Sequence, residues 1–193
     1  MANVQYYDRE GQINLTQTIE AVKERLSLGD VTTVIVFTGN GTGALQAAEQ
    51  LVNTHVLAVT FSWVRRGDSV GGIQDESVRQ ALAEKGIRII EGNLPFDEII
   101  IPDARDPKIT AIEYTLDLFG GGMSLCVQAV IMATEQGLLE PSKDVIAMSG
   151  DTAIVATPAR KSTMFSPYDG MEIREIICKP RHLTLVRKPK YEA

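Results

Sequence analysis

Three glycines within five residues, Gly39, Gly41 and Gly43, mark the part of this sequence best suited to chemistry. They lie in Val34-Ile-Val-Phe-Thr-Gly-Asn-Gly-Thr-Gly-Ala44, between a β-branched run and a helical pattern. Glycine tolerates positive φ and lets the backbone approach a ligand closely. The helix that follows offers unpaired N–H groups and the positive end of its dipole. Thr38, Asn40 and Thr42 add side-chain donors, so the turn Thr38–Ala44 is expected to hold a phosphate at the mouth of a sheet. The amides near Asn40 and Gly41 are expected to converge on that anion, and a bulky residue at Gly41 to abolish binding while sparing the fold. The alternative is a tight strand-to-helix turn whose glycines serve only packing. No Gly-Lys-Ser/Thr follows, which excludes a Walker A loop, and the glycine spacing departs from the dinucleotide fingerprint.

Two other turns qualify as walls of the same crevice. In Ser149-Gly-Asp-Thr152, the Ser149 and Thr152 hydroxyls and the Gly150 backbone can line a ligand, and Asp151 can accept from its hydroxyls. A plain hairpin turn is the alternative. In Phe61-Ser-Trp-Val-Arg-Arg-Gly67, Ser62 and Trp63 follow a strand end; Trp63 can stack on a planar ring, and Arg65 or Arg66 can balance a phosphate. A solvated charged loop is the alternative there. Catalytic groups are harder to find. His55 and His182 pair with no obvious nucleophile, no metal-ligand spacing occurs, and no pair of carboxylates stands out.

The elements that would position these turns alternate along the chain. Helical patterns cover Ile13–Leu28, Gly41–Leu51, Ile109–Leu118 and Met123–Leu138, and Asp75 caps a further helix that stops at Gly86. Strand patterns cover Thr32–Phe37, Val56–Thr60, Ile87–Ile90, Val145–Met148, Ala153–Ala156 and Ile173–Cys178, with Glu98–Ile101 as a brief extra strand. Val64–Gln74 has a loop composition. Met123–Leu138 is apolar nearly all round and belongs in the interior. Such alternation predicts one α/β domain with a mainly parallel sheet and helices on both faces. Ligands then bind at the carboxyl ends of the strands, where the three turns lie.

Composition narrows the classes. A chain of 193 residues with 44% hydrophobic and 23% charged residues has the balance of an ordinary globular domain. A net charge of -6 argues against a general nucleic-acid binder. Cys126 and Cys178 are too few for a disulfide framework and lie in apolar runs, so buried reduced thiols are expected. Without a signal-like apolar region or a membrane-length run, a cytoplasmic location with no membrane partner is expected.

The run Ile35–Ala44 resembles the phosphate-holding turn of the pyruvate kinase C-terminal domain, a strand ending in Thr-x-Ser-Gly-x-Ser-Ala. Thr38, Gly41 and Ala44 match, Asn40 takes the place of the first serine, and Gly43 replaces the second, removing one side-chain donor. His55–Thr60, Asp144–Gly150 and Ile173–Cys178 are similar to later strands of that domain, and the likeness spans about two-thirds of the chain. It suggests the stand-alone prokaryotic proteins similar to that domain. It implies a three-layer α/β/α sandwich with a mixed sheet, a regulatory phosphorylated ligand and no kinase activity, since the catalytic residues of pyruvate kinase lie in a separate barrel. Thr38–Thr42 also resembles the FMN phosphate loop of flavodoxins, which implies FMN as a cofactor with Trp63 near its ring.

Three readings follow. The first is a binding module for a phosphorylated metabolite or mononucleotide. The second is an FMN-dependent oxidoreductase or other small-molecule enzyme, in which the cofactor carries the reactivity. The third is a structural partner that docks through Ile173–Cys178 by sheet-edge pairing, a homo-oligomer included.

Overall fold

A computed structural model describes residues 4–62, 65–66, 69–70, 72–96 and 107–183. The apolar run at 33–37 forms β2 (Thr33–Phe37), preceded by β1 (Gln5–Arg9) and α1 (Leu15–Leu26). After it come α2 (Thr42–Gln50), β3 (His55–Phe61), the two-residue strands β4 (Arg65–Arg66) and β5 (Ser69–Val70), α3 (Glu76–Glu84) and β6 (Arg88–Gly92). The chain continues through α4 (Pro107–Asp117), α5 (Gly121–Glu135), β7 (Val145–Met148), β8 (Ala153–Thr157) and β9 (Glu172–His182).

Seven strands form one sheet in the order β1-β9-β8-β7-β2-β3-β6. β2 pairs in parallel with β3 and β7, β3 with β6, and β1 with β9; β8 alone runs against its neighbours β7 and β9. Along β2, Val34 and Val36 face a layer containing Ile19, Val22 and Leu82, while Ile35 and Phe37 face one containing Val127 and Ile131. A strand covered on both sides has no polar face to show, which explains its unbroken apolar run. The result is a three-layer α/β/α sandwich with a mixed, mostly parallel sheet, as expected.

Local signals account for most boundaries. Asp75 caps α3 by accepting the Ser77 N–H at 2.9 Å, and Gly86 follows that helix with φ 71°. The expected interior position of α5 is met, with Val127, Ala129, Val130 and Ile131 all buried. One strand was not foreseen, and two expectations need correction. The polar N-terminus supplies β1, in which only Tyr7 is buried, so a strand at the sheet's edge shows no apolar run. Within Val64–Gln74 the chain pairs β4 with β5 rather than remaining wholly a loop. The last strand extends beyond Cys178 to His182: its first half pairs with β8 and its second with β1. The brief strand expected at Glu98–Ile101 lies outside the described residues. None of the described helices is long and apolar enough to cross a membrane.

Arg25 joins α1 to the far side of this sheet. Its buried guanidinium donates to both oxygens of Asp30, at 2.6 and 2.9 Å, and both of Glu175, at 2.8 and 2.9 Å. Hydrogen bonding to Arg25 holds the Asp30 carboxyl below its ordinary range. The carboxylates are solvent-exposed in part, and screening limits what each bond is worth. An Arg25→Ala variant is expected to lose about 2 kcal/mol in urea denaturation. Because the folded-state pKa of Asp30 is depressed, its share of stability is complete above the ordinary carboxylate pKa, roughly 3.9, and fades as pH falls through the lowered value. Acid titration of the variant should therefore show a shallower loss of stability below about pH 4 than the wild type.

Candidate functional site

The turns after β2 and β7 meet at the point where the chain changes direction across the sheet. From β2 it moves through α2 and β3 towards β6, and it returns through α5 to β7, on the other side of β2. Crevices form at such switch points, outside the carboxyl ends of the strands. Val36 pairs with Met148, which sets the Thr38–Gly41 turn beside the Ser149–Thr152 turn.

The first turn is closed by its own side chains. Gly41 N–H donates to the buried Thr38 Oγ1 at 3.0 Å, while the N–H and hydroxyl of Thr42 donate to Asn40 Oδ1 at 3.2 and 2.8 Å. The expected convergence of amides on an anion is thus corrected: Gly41 N–H is turned inward, and Thr42 N–H is capped by Asn40. Among the described residues, no acceptor is in hydrogen-bonding position for the N–H groups of Gly39, Asn40, Gly43 or Ala44, and the first helical bond into the turn is Leu45 N–H to Gly41 O at 3.1 Å. The open donors therefore sit on either side of Gly41.

Gly41 has a packing duty as well. At φ 87° it is left-handed, and a Cβ there would lie 2.5 Å from Val78 Cγ1 and 3.1 Å from Ile73 Cδ1. A bulky residue would strike α3 and the core, so the expectation that it spares the fold is corrected.

Ser149-Gly-Asp-Thr152 is a hairpin turn, with Met148 paired to Ala153 and Ser149 N–H donating to Thr152 O at 2.8 Å. Its carboxylate is engaged inside the protein rather than held out for a ligand. Asp151 Oδ2 accepts Gly11 N–H at 2.7 Å; Oδ1 accepts the Thr152 hydroxyl at 2.9 Å and, more loosely, the Ser149 hydroxyl at 3.4 Å. Ser149, Asp151 and Thr152 are all buried. Gly150 O accepts the Thr18 hydroxyl at 3.3 Å. This turn thus anchors the β1–α1 connection.

Two participants escaped the sequence reading. Gly122, in the first turn of α5, packs against the Asp151 cluster: a Cβ there would sit 2.6 Å from both Asp151 Oδ1 and Ser149 Oγ, and closer still to Thr152 Oγ1. The run Gly120-Gly121-Gly122 before an apolar helix was the available signal. Gln12 lies between the two turns, its Oε1 2.5 Å from a Cβ built on Gly150 and its Nε2 3.8 Å from one built on Gly43. Nothing in its local sequence marks it; the placement depends on β1 joining the far edge of the sheet.

Ser62 is the one of Ser62, Trp63 and Arg65 whose side chain is described. Ser62 N–H donates to Gly92 O at 2.8 Å and its hydroxyl to Asn93 Oδ1 at 3.0 Å, which ties it to the end of β6. Trp63 lies outside the described residues, and Arg65 is described only as part of β4. Cys126 and Cys178 are free and buried, as expected. Burial raises both thiol pKa values, Cys126 most, so neither is primed as a nucleophile. The Cys126 thiol contacts Thr152 O at 3.6 Å.

The electrostatics of the two helix starts differ. Asp151 places a carboxylate against the N-terminus of α5, where the dipole favours negative charge. At the N-terminus of α2 the corresponding acceptor is the neutral Asn40 amide.

No family model matches the sequence. Among solved structures, an NAD+ synthetase from Burkholderia pseudomallei aligns over 72% of this chain and 52% of its own, at 13% identity and a TM-score of 0.29. The chain thus spans about half the length of that protein. A likeness this slight carries neither fold nor ligand across.

The packing of the two glycines is directly testable. Gly122→Ala should lose about 1–3 kcal/mol by overpacking. Gly41→Val adds left-handed strain to a steric clash and should lose at least about 2 kcal/mol. Chemical denaturation of both variants checks this, and wild-type stability in either would contradict the geometry.

Proposed function

We propose that this protein binds a phosphate-bearing small molecule, a phosphorylated metabolite or mononucleotide, at the N-terminus of α2, with no kinase activity of its own. The observation that carries the reading is the pair of open first-turn N–H groups at Gly43 and Ala44, beside an Asn40 carbonyl that already accepts two donors. A phosphate oxygen can replace Asn40 Oδ1 as acceptor for Thr42 N–H and its hydroxyl, while Gly43 and Ala44 N–H supply further bonds. Gly43 takes part through its missing side chain: a Cβ there would stand 3.5 Å from Thr38 Oγ1 and 3.8 Å from Gln12 Nε2. Thr38 acts indirectly, holding Gly41 in the conformation that aims the helix.

The resemblances to the pyruvate kinase C-terminal domain and to the flavodoxin phosphate loop support the same chemistry and name two ligand classes, sugar phosphates and FMN. FMN is a convenient probe because riboflavin differs from it by the phosphate alone. Fluorescence titration should give FMN an affinity at least about tenfold above riboflavin, the worth of one or two charge-assisted hydrogen bonds. A sugar phosphate and its parent sugar, compared by calorimetry, should differ in the same direction.

Asn40→Asp keeps an acceptor for Thr42 N–H but sets a negative charge where the phosphate would lie. This variant should weaken any phosphorylated ligand by about tenfold or more and leave the thermal transition unchanged. Equal affinity for phosphorylated and dephosphorylated probes, together with indifference to Asn40→Asp, would defeat the proposal.

A further inference from the structure

Asn40 is the one asparagine of this sequence that precedes a glycine; the others precede valine, leucine or threonine. An asparagine side chain is an electrophile for the amide nitrogen of the next residue, and a glycine there has no side chain to obstruct the approach. Asn40 is exposed, which gives water access to its side chain. Thr42 N–H and the Thr42 hydroxyl both donate to Asn40 Oδ1, at 3.2 and 2.8 Å. Those donors sit on the oxygen where negative charge develops when a nucleophile adds to the side-chain carbonyl.

The nucleophile is withheld. Gly41 N–H donates to Thr38 Oγ1 at 3.0 Å, and Thr38, directly after β2, is buried. Thr38 N–H in turn donates to Val59 O at 2.9 Å, which ties that residue to β3. To reach Asn40 Cγ, the Gly41 nitrogen must give up both its proton and the Thr38 bond. The turn therefore sets an activated carbonyl beside a locked amide.

We propose that Asn40–Gly41 is a self-modification site, kept closed by Thr38 in the folded protein and converted to a carboxylate whenever the turn opens. Gly41 N loses its proton to solvent base and bonds to Asn40 Cγ. The Cγ–Nδ2 bond breaks and ammonia leaves, which closes a cyclic imide. Water then opens the ring with no change of oxidation state. Cleavage of the new N–Cγ bond leaves an aspartate side chain at position 40. Cleavage at the main-chain carbonyl instead leaves isoaspartate, whose chain runs through Cγ.

The two products differ in their effect on the fold. Aspartate keeps an acceptor for Thr42 N–H and adds a negative charge that the positive end of α2 favours. Isoaspartate lengthens the chain beside Gly41, which already packs tightly on Val78 and Ile73, and so unseats the turn. Either way the start of α2 gains a fixed carboxylate. The reaction does not depend on what α2 binds; on the phosphate reading, that carboxylate stands where the phosphate would lie.

Peptide mass spectrometry of the full chain, held in mildly alkaline ¹⁸O-water, follows the reaction, because each product takes up labelled oxygen as it loses ammonia. Native wild type should convert Asn40 at least about tenfold more slowly than the same chain in urea. Thr38→Val keeps the side-chain shape but cannot accept the Gly41 N–H. It should speed conversion in the folded protein about threefold to tenfold, the worth of one hydrogen bond. Thr38→Ser restores the acceptor and should return the wild-type rate, and in urea all three chains should react alike. Circular dichroism checks that each variant is folded, and the comparison of native with unfolded wild type holds whether or not Thr38→Val folds. A native wild type that reacts as fast as its unfolded chain overturns the proposal. So does a folded Thr38→Val that reacts no faster than wild type, or an unfolded chain in which another asparagine converts first.

Discussion

The Asp151 carboxylate is the interaction on which the architecture of the crevice depends. It accepts from the Gly11 backbone and from the neighbouring Thr152 and Ser149 hydroxyls, and it lies against the glycine start of α5. One buried charge thereby joins the β1–α1 connection, the β7–β8 turn and a helix N-terminus. A buried carboxylate is tolerated only when hydrogen bonds and a favourable field surround it, and both are present. Its presence also divides the labour between the two glycine-rich helix starts. The positive end of α5 faces the Asp151 carboxylate, whereas that of α2 meets the neutral Asn40 amide.

This division explains why glycine recurs on both sides of the crevice for different reasons. Gly122 and Gly150 are small because other parts of the protein occupy the space, the Asp151 cluster in one case and Gln12 in the other. Gly41 needs both its left-handed backbone and the room taken by Val78. Gly43 is buried, yet a Cβ there would meet nothing tighter than 3.5 Å, and Gly39 in the same turn is exposed with nothing within 4 Å of its Cβ position.

Much of the fold was legible in the sequence because buried elements write strong patterns. The runs Val34–Phe37 and Val145–Met148 are apolar throughout since helices cover both faces, and α5 is apolar nearly all round since it is interior. β1 was not legible, because an edge strand with one buried residue leaves no periodic trace. The site was legible in its parts but not in its wiring. Residue types at Thr38–Thr42 and Ser149–Thr152 marked both turns. That Asp151 is spent on Gly11 depends on a contact across 140 residues, which no local spacing encodes, whereas the Gly41 N–H bond to Thr38 spans only three.

The central claim is that α2, and not α5, presents the free positive helix end. Amide NMR with FMN or a sugar phosphate added to ¹⁵N-labelled protein tests it most directly. The account predicts that the largest shifts fall on Thr42, Gly43 and Ala44, with Gly121 and Gly122 little changed. Shifts concentrated at Gly121 and Gly122, or none at either helix start, would contradict it.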